Sequence, residues 1–168
     1  MFATDNVDVI TLAYRTYVLP ILEYCSPVWC PSRATEIDML EKVQRYFTRR
    51  LVRRACIPDL GYPARLGTLG FDSLEVRRLR NDLTMCYRIV HGDVDLNPGD
   101  FFQFVQRERR GHDLQFVTQP RSTNYLAHEF STRIVPVWNS LQEETENTNW
   151  PFGKCLYCAV IQGSTSGC

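Results

Sequence analysis

The stretch TEIDMLEKVQRYFTRRLVRR, residues 35–54, decides the fold. Ile37, Leu40, Val43, Phe47 and Leu51 step by three or four residues and so share one face of a helix. Helical spacing puts Lys42, Arg45, Arg49 and Arg53 on the opposite side as a second stripe. Arg50 and Arg54 sit nearer the apolar margin, where their stems can pack while their heads reach outward. Thr35 followed by Asp38 resembles an N-terminal capping pair. One strongly basic amphipathic helix over 35–54 is the expectation.

Toward the N-terminus, Ile10, Tyr14, Tyr17, Val18, Ile21 and Leu22 recur at helical spacing, and Pro20 interrupts them. Proline removes a backbone donor and crowds the preceding turn, so a kinked helix ending near Tyr24 is expected, followed by a turn at Cys25-Ser26-Pro27. Exposure of Ile21 or Leu22 would mark a severed domain interface, since sizeable apolar patches usually mean interaction surfaces.

Toward the C-terminus, Pro63 opens a two-turn helix reaching Leu69. Ser73 caps a third long helix that runs to about His91 and stops at Gly92. Its expected buried face is Val76, Leu79, Leu83, Cys86, Tyr87 and Val90, with Met85 and Ile89 widening it and Arg77, Asn81, Thr84 and Arg88 opposite. Asp100 is expected to cap a short helix through Phe101, Phe102 and Val105. A short extended segment is expected at Leu114, Phe116 and Val117, and a helical one over 130–141 despite Pro136. The fold class predicted is mainly α, an irregular bundle of about four to six helices with long loops and little or no sheet.

A net charge of zero hides a segregation: residues 42–88 hold eleven Lys/Arg against four acids. Charge sorted in this way points to an anionic partner for one part of the surface. Arg109, Arg110 and His112 add a basic loop. No basic region followed by an apolar block opens the chain, and no apolar run approaches the roughly 20 residues of a membrane span. The expectation is an intracellular protein, nuclear or cytoplasmic, neither secreted nor membrane-bound. Seven scattered cysteines are an odd number and do not read as a secreted disulfide framework. Cys155 and Cys158 have zinc-ligand spacing, but only Cys168 lies downstream to join them, so no metal is expected.

Several segments, in order, resemble the region downstream of the polymerase palm in non-LTR (LINE-type, jockey-like) retrotransposon reverse transcriptases. They are YVLPILEYCSPVW (17–29), LEKVQR (40–45) with FTRR (47–50), RL (65–66), LG (69–70), SLE (73–75) with RRLRNDL (77–83), YRIVHG (87–92), RGH (110–112), PRS (120–122) and VWNSL (137–141). Gln142 stands where the family pattern usually has proline, and the tail beyond it loses the pattern. The resemblance implies a C-terminal, non-catalytic piece of an RNA-directed DNA polymerase. The palm, with its Asp-Asp turn and two divalent metal ions, would belong to the parent chain. This sequence has no Asp-Asp pair, so it is not expected to be an enzyme on its own, and no cofactor is expected in it.

The same resemblance divides the chain into three parts. Residues 1–32 would continue from the palm, 33–141 would form a thumb-like helical domain, and 142–168 an acidic and then poorly ordered tail. The expected partner is RNA or an RNA–DNA duplex, held through its phosphates by Lys42, Arg45, Arg49, Arg53, Arg77 and Arg110. The competing expectation is a helical protein-interaction module without nucleic-acid function.

Overall fold

Pro20 sets the course of the first helical segment. In the computed structural model, which describes residues 6–31, 33–58, 61–105, 115–118 and 129–140, the chain meets it with a widened turn. Helix α1 (Val7–Ala13) is capped by Asn6, whose side-chain oxygen accepts from the Asp8 and Val9 amides. It runs into a π-helical turn (Tyr14–Val18), in which the Leu19 amide donates to the Tyr14 carbonyl, and continues as α2 (Leu19–Glu23). The extra residue in a π turn shifts the helical phase. Tyr14 and Leu19 are therefore buried, while Tyr17 and Ile21, on the expected apolar line, are exposed, Ile21 at 73 %. Cys25 takes a left-handed conformation (φ 55°), and Ser26–Trp29 forms one helical turn, α3, where the sequence predicts no helix.

Helix α4 (Ala34–Arg54) covers the expected span with two differences. Arg33 is its N-cap and no side chain caps it, because Asp38 binds Lys42 and Arg45 rather than pairing with Thr35. The buried face is also rotated: Glu41, Gln44, Thr48, Leu51 and Val52 are buried, and Val43 is exposed. Three polar side chains tolerate burial because each finds partners. Gln44 donates to the Asp72 carbonyl (2.8 Å) and to the Tyr62 hydroxyl (3.3 Å), and accepts from the Tyr14 hydroxyl (3.3 Å). Thr48 donates back to the Gln44 carbonyl at 2.8 Å. Glu41 accepts from the Tyr62 hydroxyl (2.5 Å) and from the Leu74 amide through both oxygens (3.3 and 3.2 Å). Burial and the neighbouring Glu41 carboxylate push the Tyr62 hydroxyl pKa well above its ordinary value.

Helix α5 (Tyr62–Leu69) has Pro63 in its first turn and ends at Gly70 (φ 63°), with the Phe71 amide donating to the Leu66 carbonyl at 3.0 Å. Only glycine enters that left-handed cap without strain. The Arg15 guanidinium donates to the Gly70 carbonyl (3.0 Å) and lies 4.9 Å from the Phe71 ring centre, tying the π turn to the end of α5. Helix α6 (Leu74–Val90) begins under two caps, Ser73 Oγ accepting from the Val76 amide (3.3 Å) and Glu41 accepting from Leu74. Gly92, at φ 74°, follows its end. Leu74, Arg78, Asp82, Leu83, Cys86 and Ile89 are its buried residues, whereas Val76, Leu79, Tyr87 and Val90 are only half-buried.

The chain divides into two compact units, Met1–Arg78 and Leu79–Cys168, with the boundary inside α6. In the first, Tyr14, Leu19, Leu51, Leu66, Phe71 and Leu74 form the core, with Ile10, Leu22, Leu40 and Phe47 packed around them. Tyr14 stacks on Phe47 at 3.8 Å, and Phe71 meets both rings edge-on. In the second, a 3₁₀ turn (Pro98–Asp100) is capped by Asn97 rather than by Asp100, and residues 101–105 after it are not helical. Phe104 instead bridges antiparallel to Phe116, and Phe116 stacks between Phe102 (4.4 Å) and Trp138 (5.6 Å). Helix α7 (Phe130–Ser140) carries Pro136 inside it and supplies Asn139, which bonds both the amide and the carbonyl of Phe116. Arg133 pairs with the buried Asp82 at 2.8 Å. The described residues are mainly helical and contain no strand longer than this one bridge. Among them no helix is long and apolar enough to cross a membrane.

Glu41→Ala leaves the Leu74 amide and the Tyr62 hydroxyl without their acceptor, and is expected to destabilise the chain by about 2–4 kcal/mol in urea unfolding. Glu41→Gln, which keeps one acceptor oxygen, is expected to lose less. Cys86 is buried and its thiol pKa is pushed up by that burial, whereas Cys25 and Cys56 are exposed. Iodoacetamide on the native chain is therefore expected to modify Cys25 and Cys56 at least about tenfold faster than Cys86, read by mass spectrometry.

Candidate nucleic-acid interface

Burial of Glu41, Gln44 and Thr48 fixes which side of α4 meets solvent. Arg49 and Arg53, two turns of the expected basic stripe, are exposed and pair with no carboxylate among the described residues. Lys42 and Arg45 lie on the same side, but both reach Asp38, at 3.2 and 2.7 Å. Arg45 and then Lys42 hold the Asp38 carboxyl below its ordinary pKa through hydrogen bonds. All three side chains are open to solvent, so this is a screened, exchangeable ion pair rather than a buried lock. The Arg45 guanidinium also lies 5.4 Å from the Tyr62 ring centre, which holds its stem along the helix. Among the described residues, the stripe thus consists of two arginines without a carboxylate partner and two cations sharing one acid.

Arg77 belongs elsewhere. Its half-buried guanidinium grips the Glu23 carboxylate through two nitrogens, Nε to Oε1 and Nη2 to Oε2 (3.1 Å), and these hydrogen bonds raise its pKa against the opposing effect of burial. That contact joins the end of α2 to the start of α6 across 54 residues of sequence, and it leaves Arg77 committed to packing. Arg80 is half-buried and Arg88 exposed. Arg110, with Arg109 and His112, lies outside the described residues, as do Cys155, Cys158 and Cys168 and the acidic tail.

Two cations that sequence spacing put at the apolar margin prove relevant. Arg50 and Arg54 are exposed, and Arg50 donates to the Tyr46 hydroxyl (3.2 Å) with its guanidinium 5.6 Å from that ring centre. Together with Arg49 and Arg53 they make a continuous basic arc over the last two turns of α4. The signal for this was the RR pair repeated at 49–50 and 53–54, four residues apart. Such an arc attracts phosphates by charge and reads no base sequence. Among the described residues no three His, Cys, Asp or Glu side chains gather as a metal site.

No family model matches the chain, and no solved structure matches it. It is similar to B0403.1, an uncharacterized protein of Caenorhabditis elegans, with 27% identity over 92 residues. The match takes in 55% of this chain and 46% of the worm protein, so the chain spans about half the length of the curated relative it matches.

Proposed function

We propose that this chain is a C-terminal, non-catalytic segment of a non-LTR retrotransposon reverse transcriptase, and that it grips a template–primer duplex through the outer face of α4. The observation that carries the reading is the exposure of Arg49 and Arg53 on a 21-residue helix without any carboxylate partner among the described residues. Arginines one helical turn apart neutralise neighbouring phosphates along a groove edge, and release of counterions supplies the affinity. Lys42 and Arg45 join them once a phosphate competes with the exposed Asp38. Arg77 has a structural part in this account. Polymerisation would require the carboxylates of a palm elsewhere in the parent protein. The order of the resembling segments from 17 to 141 supports the assignment to that family.

Binding of the full chain to a labelled RNA–DNA duplex, followed by anisotropy over a range of salt, tests this. Arg49→Ala/Arg53→Ala is expected to raise Kd about tenfold at low salt and to reduce the salt slope by about 2. Asp38→Asn is expected to tighten binding by freeing Lys42 and Arg45. Arg77→Ala is expected to lower the unfolding midpoint while leaving the salt slope unchanged. A folded chain that does not bind the duplex, or whose salt slope ignores Arg49 and Arg53, refutes the reading.

A further inference from the structure

On the α1 side of α4, next to the basic arc, the first unit carries an open groove of about 310 Å³. Ile10, Val18, Val43 and Leu51 are among the residues that line it, with Arg50 and Arg54. Val43 is 41 % exposed, and Tyr46 beside it 65 %. Leu12, Tyr17 and Ile21, on the same N-terminal helical segment, are exposed as well. Scattered apolar residues on a surface need no explanation, but a contiguous apolar hollow does.

Charge narrows the occupant. Arg50 and Arg54 line the groove, and among the described residues no carboxylate does. Arg54 has no ion-pair partner among the described residues. Arg50 is held at the edge by the Tyr46 ring and hydroxyl rather than by an acid. A ligand for this place therefore brings apolar side chains to the floor and negative charge to one border.

An unpaired nucleotide meets only half of that description. Bases bind by stacking on free aromatic faces, but the Phe47 ring in this groove is stacked on Tyr14 at 3.8 Å and the Tyr46 ring is engaged by the Arg50 guanidinium, 5.6 Å from its centre. Much of the remaining floor is branched aliphatic. A second copy fits poorly too, since pairing groove on groove would set Arg50 and Arg54 near their own equivalents. An amphipathic helix meets both halves, laying apolar residues at i, i+3, i+4 and i+7 into the groove while flanking acids reach the arginines.

We propose that this groove is a docking site for an acidic amphipathic helix of a partner protein. The site is separate from the phosphate-binding stripe: it uses Val43, Arg50 and Arg54, and does not need Arg49 or Arg53. Loss of duplex binding through Arg49 and Arg53 would leave it standing, and Val43→Asp, which removes no cation of the basic arc, separates loss of the groove from loss of duplex binding.

The test uses the full chain and a fluorescein-labelled synthetic peptide of about five helical turns, with leucine on one face and glutamate on both flanks. A counterpart carries lysine in place of each glutamate. The acidic peptide is expected to bind, and the lysine peptide to bind at least about tenfold more weakly. Val43→Asp, at an exposed position whose change leaves the circular dichroism unaltered, is expected to weaken the acidic peptide about tenfold or more. Arg50→Glu/Arg54→Glu is expected to reverse the preference toward the lysine peptide. Arg49→Ala/Arg53→Ala is expected to change peptide binding little.

Equal binding of the two peptides, binding by neither, or indifference to Val43→Asp overturns the proposal. So does a single-stranded oligouridine that binds the wild type and is lost in Val43→Asp, which would give the groove to nucleic acid. A dimer seen by light scattering and abolished by Val43→Asp would give it to a second copy, and overturns the proposal equally.

Discussion

The buried carboxylate of Glu41 joins three helices at one point. It projects from α4, accepts from the Tyr62 hydroxyl at the start of α5, and accepts from the Leu74 amide that opens α6. Helix N-termini leave donors unsatisfied and carry the positive end of the backbone dipole, so a carboxylate there is stabilising twice over. Gln44, one turn on, ties the same helix to the Asp72 carbonyl just before α6. These bonds position the start of α6 against α4 and set the rotation of α4 about its own axis.

That rotation has consequences on the far side of the helix. With Glu41, Gln44 and Thr48 inward, Arg49 and Arg53 point away from the core and Val43 faces the groove beside α1. Had the most apolar face been buried instead, Val43 would sit in the core and the three polar residues would be wet. The groove and the basic arc are thus two results of one buried polar network. A chain whose packing is directed by hydrogen bonds can leave apolar side chains outside, where a partner can use them.

The elements of this fold were more legible than their faces. Residues 35–54, Pro63 to Leu69, Ser73 and Gly92 announced three helices and their ends, because caps, glycines and period are local properties. The inward face of α4 was not legible, because hydropathy ranks Glu41 and Gln44 as solvent-facing. The partners that make their burial tolerable, Tyr14, Tyr62, Asp72 and Leu74, lie 18 to 33 residues away in sequence. Arg77 had the same difficulty, since Glu23 lies 54 residues upstream. Pro20 was legible as a disturbance but not as a π turn, and the phase shift it brings decides that Leu19, rather than Val18, enters the core. Of the basic stripe, Arg49 and Arg53 are where spacing put them, while Lys42 and Arg45 share an acid that sequence reading had assigned to a helix cap.

The orientation of α4 carries the whole account, and cysteine accessibility along residues 40–54 measures it directly. Each position is replaced singly by cysteine in the full chain, pulsed with a maleimide under native conditions, and read by peptide mass spectrometry so that native cysteines are resolved separately. Protection at 41, 44, 48, 51 and 52, with fast labelling at 42, 43, 46, 49, 50 and 53, is the predicted pattern. Protection at 40, 43 and 47 with fast labelling at 41, 44 and 48 would mean that hydropathy sets the inward face, and would contradict the account.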